Sequence, residues 1–383
     1  MVRPTHAVVD LDGLTANYRA IGRYLAAASA PPPRIIAVIK ANAYGHGAVQ
    51  VARALEQADL GATGLPLVLA CADIEEGVEL RRAGVNAPIL VFGALGVSDV
   101  AGIFDHHLTP TVSSPSAAQA LGEAAAARST RLGVHLKIDT GMNRFGFRHD
   151  NLRETLPEVL GNDYLSVEAV YTHFATAECQ EDALFVAQLE RFDQVRAAAS
   201  VLGLSDVWWH AANSAALLCN RRTWYDGVRP GLLLYGVAPP PLETDLDLHP
   251  VMSLRSCVVG VKGMRRGESA GYGARFVASR PMRIAVIPAG YADGLDLRLG
   301  GRGSVLVGGT RAPIVTVAMD STTIDVTDVS VIPGDDVIVL GEQGNERIGA
   351  CDIAQVIGTR PHEVLCRVGT RIERTYTLAR TGR

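Results

Sequence analysis

The chain has 383 residues, 48% of them hydrophobic, which is long for one domain and sufficient for two. Its 36 basic and 40 acidic residues give a formal net charge of −4 without long runs of like charge, which argues against a nucleic-acid or polybasic membrane surface. No apolar run reaches the roughly 18 residues of a membrane span, and residues 1–6 lack the apolar segment of a signal peptide. The six cysteines are scattered without a CxxC pair, which is typical of reduced thiols rather than of disulfides or a zinc site. We therefore expect a cytoplasmic protein without a metal centre.

Short apolar runs alternate with stretches of helical periodicity from residue 35 to about residue 236. Eight of these runs predict strands, at 35–40, 65–70, 88–93, 108–112, 134–139, 167–174, 207–210 and 231–235. The clearest helix is predicted over 182–202, where apolar residues recur at spacings of three and four. Eight strands that alternate with helices fit a (β/α)8 barrel of the TIM type. A doubly wound open sheet is the alternative that the pattern leaves open.

The character of the sequence changes near Val237, and the stretch to Pro250 is rich in proline and acidic residues, as a linker can be. The runs beyond it, at 256–262, 284–287, 304–307, 323–326 and 337–340, are bounded by Gly, Pro and Asp. One short helix is predicted around 351–357. The sequence therefore predicts an α/β protein, with a barrel over residues 1–240 and a mainly β domain over 241–383.

Lys40 stands between a buried apolar strand and the glycine-punctuated loop 41–47. Burial lowers the pKa of an amine, and the neutral amine is the form that condenses with a carbonyl group. The alternative is an ordinary lysine at a strand end whose ammonium group reaches water. The flanking residues alone leave both interpretations open.

Other polar residues also fall at predicted strand ends, where the functional groups of a barrel gather. His173 ends the sixth strand, Ser214 follows the seventh, and Arg229 enters the eighth. A hydroxyl at a helix start suits a phosphate group, although an ordinary helix N-cap explains Ser214 equally well. Arg229, taken alone, would be interpreted as a structural arginine.

Residues 38–47, VIKANAYGHG, resemble the cofactor-lysine motif of alanine racemases, which use pyridoxal 5′-phosphate (PLP). Five further segments match this family in order between Lys137 and Asp320, so the resemblance covers nearly the whole chain. It implies a PLP-binding barrel followed by a β domain, with the first ten residues pairing as a strand with that domain. It also implies interconversion of L- and D-alanine for peptidoglycan precursors, with Lys40 as the residue that forms the Schiff base with PLP.

The resemblance assigns the remaining cofactor contacts. Arg229 is placed against the pyridine nitrogen, and because a guanidinium group keeps its proton, that nitrogen stays largely unprotonated. PLP is then a weaker electron sink, which favours racemisation over transamination. The groups implied to surround the rest of the cofactor are Tyr44, His173, Ser214 and the amides of Gly231 and Leu232.

Racemisation requires a proton donor and acceptor on both faces of the α-carbon. Lys40 serves one face, and the resemblance implies that Tyr272 of the partner in a homodimer serves the other. A free tyrosine has a pKa near 10, so His173 and Arg229 are candidate helpers through a hydrogen-bonded chain. Without the other motifs, Tyr272 would be an ordinary turn residue.

The substrate contacts follow from the same resemblance. Arg144 is implied to bind the substrate carboxylate, and nearby Lys137 is commonly carbamylated in the family, which we adopt as a hypothesis. The partner-subunit segment with Met319 and Asp320 is implied to reach the same carboxylate, and Tyr291 matches a tyrosine at the family's entry gate.

Two positions depart from the family pattern. His362 stands where a tyrosine is usual, and Ala318 replaces the usual cysteine before Met319. These changes predict weaker discrimination against serine, so a serine or broad-specificity racemase is the alternative function. A PLP decarboxylase would show a Gly-rich phosphate loop and a Glu-Pro-Gly segment, which we do not find, and a non-catalytic PLP carrier or sensor would not need the β domain that bears Tyr272.

Overall fold

The computed structural model describes residues 4–59, 67–93 and 100–377. Eight parallel strands close into a barrel, because the first barrel strand pairs with both the second and the last, and the fourth pairs with the fifth. The N-terminal strand β1 (His6–Asp10) lies outside the barrel. The barrel strands are β2 (Arg34–Val38), β3 (Val68–Cys71), β4 (Ile89–Val91), β5 (Thr109–Val112), β6 (Leu132–Asp139), β8 (Leu165–Tyr171), β9 (Trp208–His210) and β10 (Gly227–Val228), with the two-residue β7 (Phe147–Arg148) beside β6.

Helices connect the barrel strands, as the alternating sequence pattern predicts. Several begin where an aspartate side chain accepts the free amides of the first turn, as Asp10, Asp73 and Asp182 do. The helices of this domain are α1 (Leu11–Ala28), α2 (Ala48–Asp59), α3 (Ile74–Arg82), α4 (Ala101–Asp105), α5 (Pro115–Ala127), α6 (Leu152–Leu160), α7 (Ala183–Ala197) and α8 (Ser214–Cys219). No helix in the described part of the chain is long and apolar enough to span a bilayer.

The prediction for the eighth strand was wrong. Residues 231–235 do not extend the sheet, because Leu232–Tyr235 forms a buried 3-10 helix that ends at Gly236 in the left-handed region. The eighth strand is the preceding pair, Gly227–Val228, so Arg229 follows that strand rather than entering it. An apolar run without polar alternation is compatible with a buried strand or a buried helical turn, and here the glycines on both sides favour the turn.

The β domain contains a ten-stranded sheet that includes the N-terminal strand. β1 runs antiparallel to β11 (Met252–Cys257) and parallel to β21 (Glu373–Thr377), so both ends of the described chain enter this sheet. Its other strands are β12 (Gly260–Met264), β15 (Met282–Ile287), β16 (Ser304–Val307), β17 (Thr310–Val317), β18 (Thr322–Asp325), β19 (Asp336–Gln343) and β20 (Glu346–Ile348), and β13 (Ser269–Ala270) and β14 (Phe276–Val277) form a separate ribbon.

Two helices lie between the last strands of this domain, α9 (Ala350–Ile357) and α10 (Pro361–Cys366), of which the sequence predicted only the first. Buried apolar side chains form one continuous cluster that runs from the barrel into the β domain. The predicted fold class, a barrel of the TIM type followed by a mainly β domain, is therefore confirmed.

Candidate active site

A cavity of about 480 Å³ opens at the carboxyl end of the barrel strands, within the usual size range of small-molecule sites. Its lining includes five basic side chains and one carboxylate, that of Glu178. The basic residues are Lys40, Lys137, Arg144, Arg229 and Arg360. Such an excess of positive charge suits a ligand with several negative charges, such as a phosphate and a carboxylate.

Lys40 lies two residues beyond the end of β2 and lines this cavity. Burial lowers the pKa of Lys40 most, and the positive charge of Arg144 lowers it further. The four residues that follow, 41–44, all have φ near +53°, a left-handed conformation that is unfavourable by roughly 1–2 kcal/mol per residue for L-amino acids. Surrounding contacts must therefore hold this turn in place, and it carries Tyr44 to the cavity wall.

Tyr44, Ser214 and the backbone of Gly231 converge on one side of the cavity. The amide of Gly231 donates to Oγ of Ser214 at 2.9 Å, and a Cβ at position 231 would lie only 2.5 Å from Oη of Tyr44. Glycine therefore allows this close approach, which brings the hydroxyl groups of Tyr44 and Ser214 next to the backbone of Gly231. Asn213 caps the short helix α8, since its side chain accepts the amide of Ala216.

Arg229 is buried and its guanidinium is held by several acceptors. It donates to the carbonyl oxygens of Thr172 and Ala211 at 2.7 and 2.8 Å, and to Nδ1 of His210 at 2.8 Å. A longer contact of 3.5 Å reaches Nδ1 of His173. Burial lowers the pKa of Arg229 to about 10, so the group keeps its positive charge at neutral pH.

Lys137 lies near the end of β6 with its side chain buried. Its amine stands over the rings of Phe145 and Tyr171, 5.6 and 5.7 Å from their centroids. Burial, followed by the charges of Arg144 and Arg229, lowers the pKa of Lys137 to about 8. More of the amine is therefore neutral near neutral pH than in an ordinary lysine, and the neutral amine is the form that reacts with carbon dioxide.

The other predicted site residues do not line this cavity. Tyr272, Tyr291 and Met319 are 87%, 43% and 55% exposed on the β domain, and Asp320 is exposed beside them. Tyr291 lies beside Met319 and Asp320, because its amide donates to the carbonyl of Ala318 at 2.9 Å. The turn that carries Tyr272 packs against β17, the strand that ends before Ala318, since a Cβ at Gly271 would lie 2.5 Å from Oγ1 of Thr316. Within one chain, the structure thus separates the predicted residues into a barrel set and a β-domain set.

Sequence reasoning assigned no role to two residues that support the site. His210 ends β9 and accepts from Arg229, and its position at a strand end could have identified it. Glu76, in the first turn of α3, accepts the amide of Ala41 at 2.6 Å. Nothing in the local sequence indicates this contact, which joins elements 35 residues apart.

The donor set fits PLP. The amine of Lys40 suits an aldehyde, the groups around Gly231 suit a phosphate, and Arg229 supplies a hydrogen-bond donor between them. The fold and the site thus define a two-domain enzyme whose barrel binds a phosphorylated aldehyde cofactor.

Comparison with known proteins identifies the family. Residues 9–239 match the alanine racemase N-terminal domain and residues 251–376 match the alanine racemase C-terminal domain. The alanine racemase of Carboxydothermus hydrogenoformans is 40% identical over 380 residues, covering 98% of this chain and 100% of that protein. The chain belongs to the alanine racemase family.

Solved structures agree with this assignment. The alanine racemase from D-cycloserine producing Streptomyces lavendulae superposes with a TM-score of 0.92 at 32% identity, over 99% of this chain and 98% of that one. The alanine racemase from Bartonella henselae with covalently bound pyridoxal phosphate gives a TM-score of 0.85 at 28% identity, over 98% and 99% of the two chains.

Proposed function

We propose that the protein is a PLP-dependent alanine racemase that interconverts L-alanine and D-alanine. The observation that carries this proposal is the arrangement of Lys40 and Arg229 in one cavity. The lowered pKa of Lys40 favours the neutral, nucleophilic amine. Membership of the family, over nearly the full length of the chain, supports the same function.

The cofactor would be held by the groups already described. Tyr44, Ser214 and the amides of Gly231 and Leu232 would bind its phosphate, and Arg229 would donate to its ring nitrogen. PLP, when bound, supplies the electron sink that makes the α-proton of the substrate acidic. Because Arg229 keeps its proton, it would donate a hydrogen bond to the ring nitrogen without protonating it, which would weaken the electron sink and favour racemisation over transamination.

Two bases would exchange the α-proton. Lys40 Nζ would serve one face and Oη of Tyr272 from the partner of a homodimer would serve the other. His173 supports this arrangement, since its pKa lies well below the usual value through burial and the charge of Arg229. Its Nδ1 faces the donor-only guanidinium, so the ring proton lies on Nε2, where it could donate to a deprotonated tyrosine hydroxyl.

The β-domain set supports the homodimer. Tyr272, Tyr291, Met319 and Asp320 are all exposed on the β domain and lie outside the cavity of their own chain. In a dimer they would complete the partner's site, with Met319 and Asp320 near the substrate carboxylate and Tyr291 at the entrance. Arg144 would bind that carboxylate from the barrel, oriented by a carbamate on Lys137.

The proposed role is supply of D-alanine for peptidoglycan precursors in the cytoplasm. All six cysteines are unpaired in the structure, which fits a reducing compartment. A broader substrate range that includes serine is the second candidate, and the presence of His362 rather than tyrosine in the cavity wall favours it.

The first test is proton NMR of the PLP-loaded protein in deuterated water, with L-alanine and L-serine in separate samples. Loss of the α-proton signal together with formation of D-alanine is the expected result. A protein that binds PLP but exchanges neither substrate would contradict the proposal.

The shared site has its own test. Lys40→Ala and Tyr272→Phe variants should each be inactive, and each retains the residue that the other lacks. A mixed dimer would hold one intact site, so random mixing should restore about a quarter of the native activity. If Tyr272 acted within its own chain, mixing would restore nothing.

A further inference from the structure

The left-handed turn after Lys40 is unfavourable by itself and is not stabilised by glycine. Residues 41–44 are Ala, Asn, Ala and Tyr, and each has a positive φ. Only Gly45 and Gly47, which follow the turn, have the freedom of glycine. The turn decides where the Lys40 amine and the Tyr44 hydroxyl point, so whatever holds it also sets the geometry of the cavity.

A carboxylate holds the start of the turn. Oε1 of Glu76 accepts the amide of Ala41 at 2.6 Å and Oε2 accepts the amide of Ala72 at 2.7 Å. Both of these alanines line the cavity, whereas Glu76 itself lies behind them. Hydrogen bonds to an ionised acceptor are stronger than neutral ones, so Glu76 ties the turn firmly to the end of β3.

A guanidinium group holds the residue that directly follows the turn. Nε of Arg374, on β21, donates to the carbonyl of Gly45 at 2.6 Å. Its two other nitrogens donate to the carbonyls of Val368, Gly369 and Ile372 at 2.5, 3.2 and 2.9 Å. Arg374 therefore connects the loop that follows Lys40 to the last segment of the β domain.

The glycines of this loop make the connection tight. A Cβ at Gly45 would lie 2.5 Å from the carbonyl oxygen of Leu365, and one at Gly47 would lie 2.0 Å from Oη of Tyr376. Both glycines also have positive φ values, of 81° and 96°. The C-terminal segment thus packs directly against the loop and leaves no room for it to shift toward that side.

We propose that Glu76 and Arg374 are positioning residues, which hold the left-handed turn at its first amide and at the carbonyl of Gly45 directly after it, and so aim Lys40 and Tyr44 at the cofactor. Neither side chain lines the cavity, so both act through the backbone of the turn. The proposal rests on the proposed function, because the geometry matters through Lys40 and Tyr44. The negative charge of Glu76 also favours the ammonium form of Lys40 and opposes the lowering of its pKa.

The chain contains a matched control for each residue. Glu56 accepts the amides of Asn86 and Ala87 at 2.7 and 2.6 Å, just as Glu76 accepts two amides. Arg81 donates to four backbone carbonyls at 2.8 to 3.2 Å, just as Arg374 does. All four side chains are partly buried, and the partners of the control residues do not line the cavity.

The experiment compares Glu76→Gln with Glu56→Gln, and Arg374→Gln with Arg81→Gln. For each full-length variant, the dissociation constant of PLP is measured by titration of the apoprotein, alongside the urea midpoint. We expect the Glu76 and Arg374 variants to bind PLP about tenfold more weakly, equivalent to about 1.4 kcal/mol. The controls should lower the urea midpoint to a similar degree and keep the native affinity. Arg374→Lys should bind PLP more tightly than Arg374→Gln but more weakly than the native protein, since an ammonium group cannot reach four carbonyls.

A second measurement separates charge from geometry. The rate at which the apoprotein takes up PLP is followed against pH, because only neutral Lys40 reacts. In Glu76→Gln the midpoint should move to lower pH, since the carboxylate that favours the ammonium form is gone. Arg374→Gln and both controls should leave that midpoint in place.

The outcomes are distinct. If Glu76→Gln and Arg374→Gln bind PLP as tightly as the two control variants, the proposal is overturned, whatever the urea midpoints are. If Arg374→Gln gives no folded protein, Glu76→Gln and Arg374→Lys decide by the same criterion. A native protein that binds PLP without racemising alanine would overturn the proposed function alone, because the affinity comparison is still measurable.

Discussion

One terminal nitrogen of the Arg229 guanidinium donates to Nδ1 of His210 at 2.8 Å. A guanidinium group can only donate, so this ring nitrogen is the acceptor and the ring proton lies on Nε2. Nε2 of His210 then donates to Nδ1 of His135 at 3.2 Å. Burial, together with the charge of Arg229, keeps the pKa of His210 well below its usual value. A chain of neutral imidazoles thus fixes the orientation of the arginine.

Replacing His210 by phenylalanine should loosen Arg229 and destabilise the protein. The ring volume is kept but the acceptor is lost, which leaves a buried charged donor without its partner at a cost of about 1–3 kcal/mol. We expect a racemisation rate at least about tenfold lower, since 1.4 kcal/mol of lost transition-state stabilisation has that effect. Urea unfolding and the initial rate with L-alanine measure the two effects. A variant with native rate and native stability would show that this hydrogen bond is dispensable.

Lys137 should carry a carbamate when the protein is kept in bicarbonate. The pKa of about 8 leaves more neutral amine than an ordinary lysine has, and a carbamate would turn a buried cation beside Arg144 into an anion. Because the chain has only three lysines, carbon-13 NMR with labelled bicarbonate gives an uncrowded spectrum. We expect one carbamate signal, lost in Lys137→Arg and kept in Lys262→Arg, where the lysine is exposed. Its absence from the native protein would refute the hypothesis.

His362→Tyr should sharpen discrimination against serine. The centroid of the His362 ring lies 5.7 Å from that of the Tyr44 ring. Burial and the charge of Lys40 lower the pKa of His362 to about 4, so the ring is neutral at neutral pH. A tyrosine is larger and would narrow the cavity on the side where the phosphate and the substrate side chain meet. The ratio of kcat/KM for serine to that for alanine should fall several-fold, by about 1 kcal/mol. Ala318→Cys serves as a comparison, and an unchanged ratio in His362→Tyr would dismiss the idea.

Acid should destabilise the apoprotein before its carboxylates titrate. Burial lowers the pKa of His46 to about 4 and that of His135 to about 3, against about 6.5 when unfolded. Between these values the unfolded chain binds more protons, so stability falls as the pH drops from about 6.5 to about 4. Each such group contributes at most about 1.4 kcal/mol per pH unit, and His173, His210 and His362, whose pKa values are lowered as well, add to the slope. Urea unfolding at pH 7 and 5.5 measures this slope, which should be smaller in His135→Gln, and a stability independent of pH would contradict the expectation.

Much of the barrel could be predicted from the chain alone. Residues such as Ile36, Leu69 and Val170 belong to short apolar runs that are buried as strands, because period and burial are local properties of a sequence. The run at 232–235 shows the limit of this reasoning. Its residues are buried as expected, but the turn they form depends on the flanking glycines and on packing beneath the Lys40 loop, where the Tyr235 ring stacks against His46 at 4.4 Å.

The sequence predicted which residues form the site, because the motifs around Lys40, Ser214 and Arg229 resemble those of a known family. What only the tertiary structure decided is how they are held. Glu76 and Arg374 contact the loop after Lys40 from positions 35 and 329 residues away from their partners. The pKa of Lys137 falls because burial removes its amine from water and because folding brings the charges of Arg144 and Arg229 near it. Hydrogen bonds and desolvation depend on distance in space, and a linear sequence does not contain that distance.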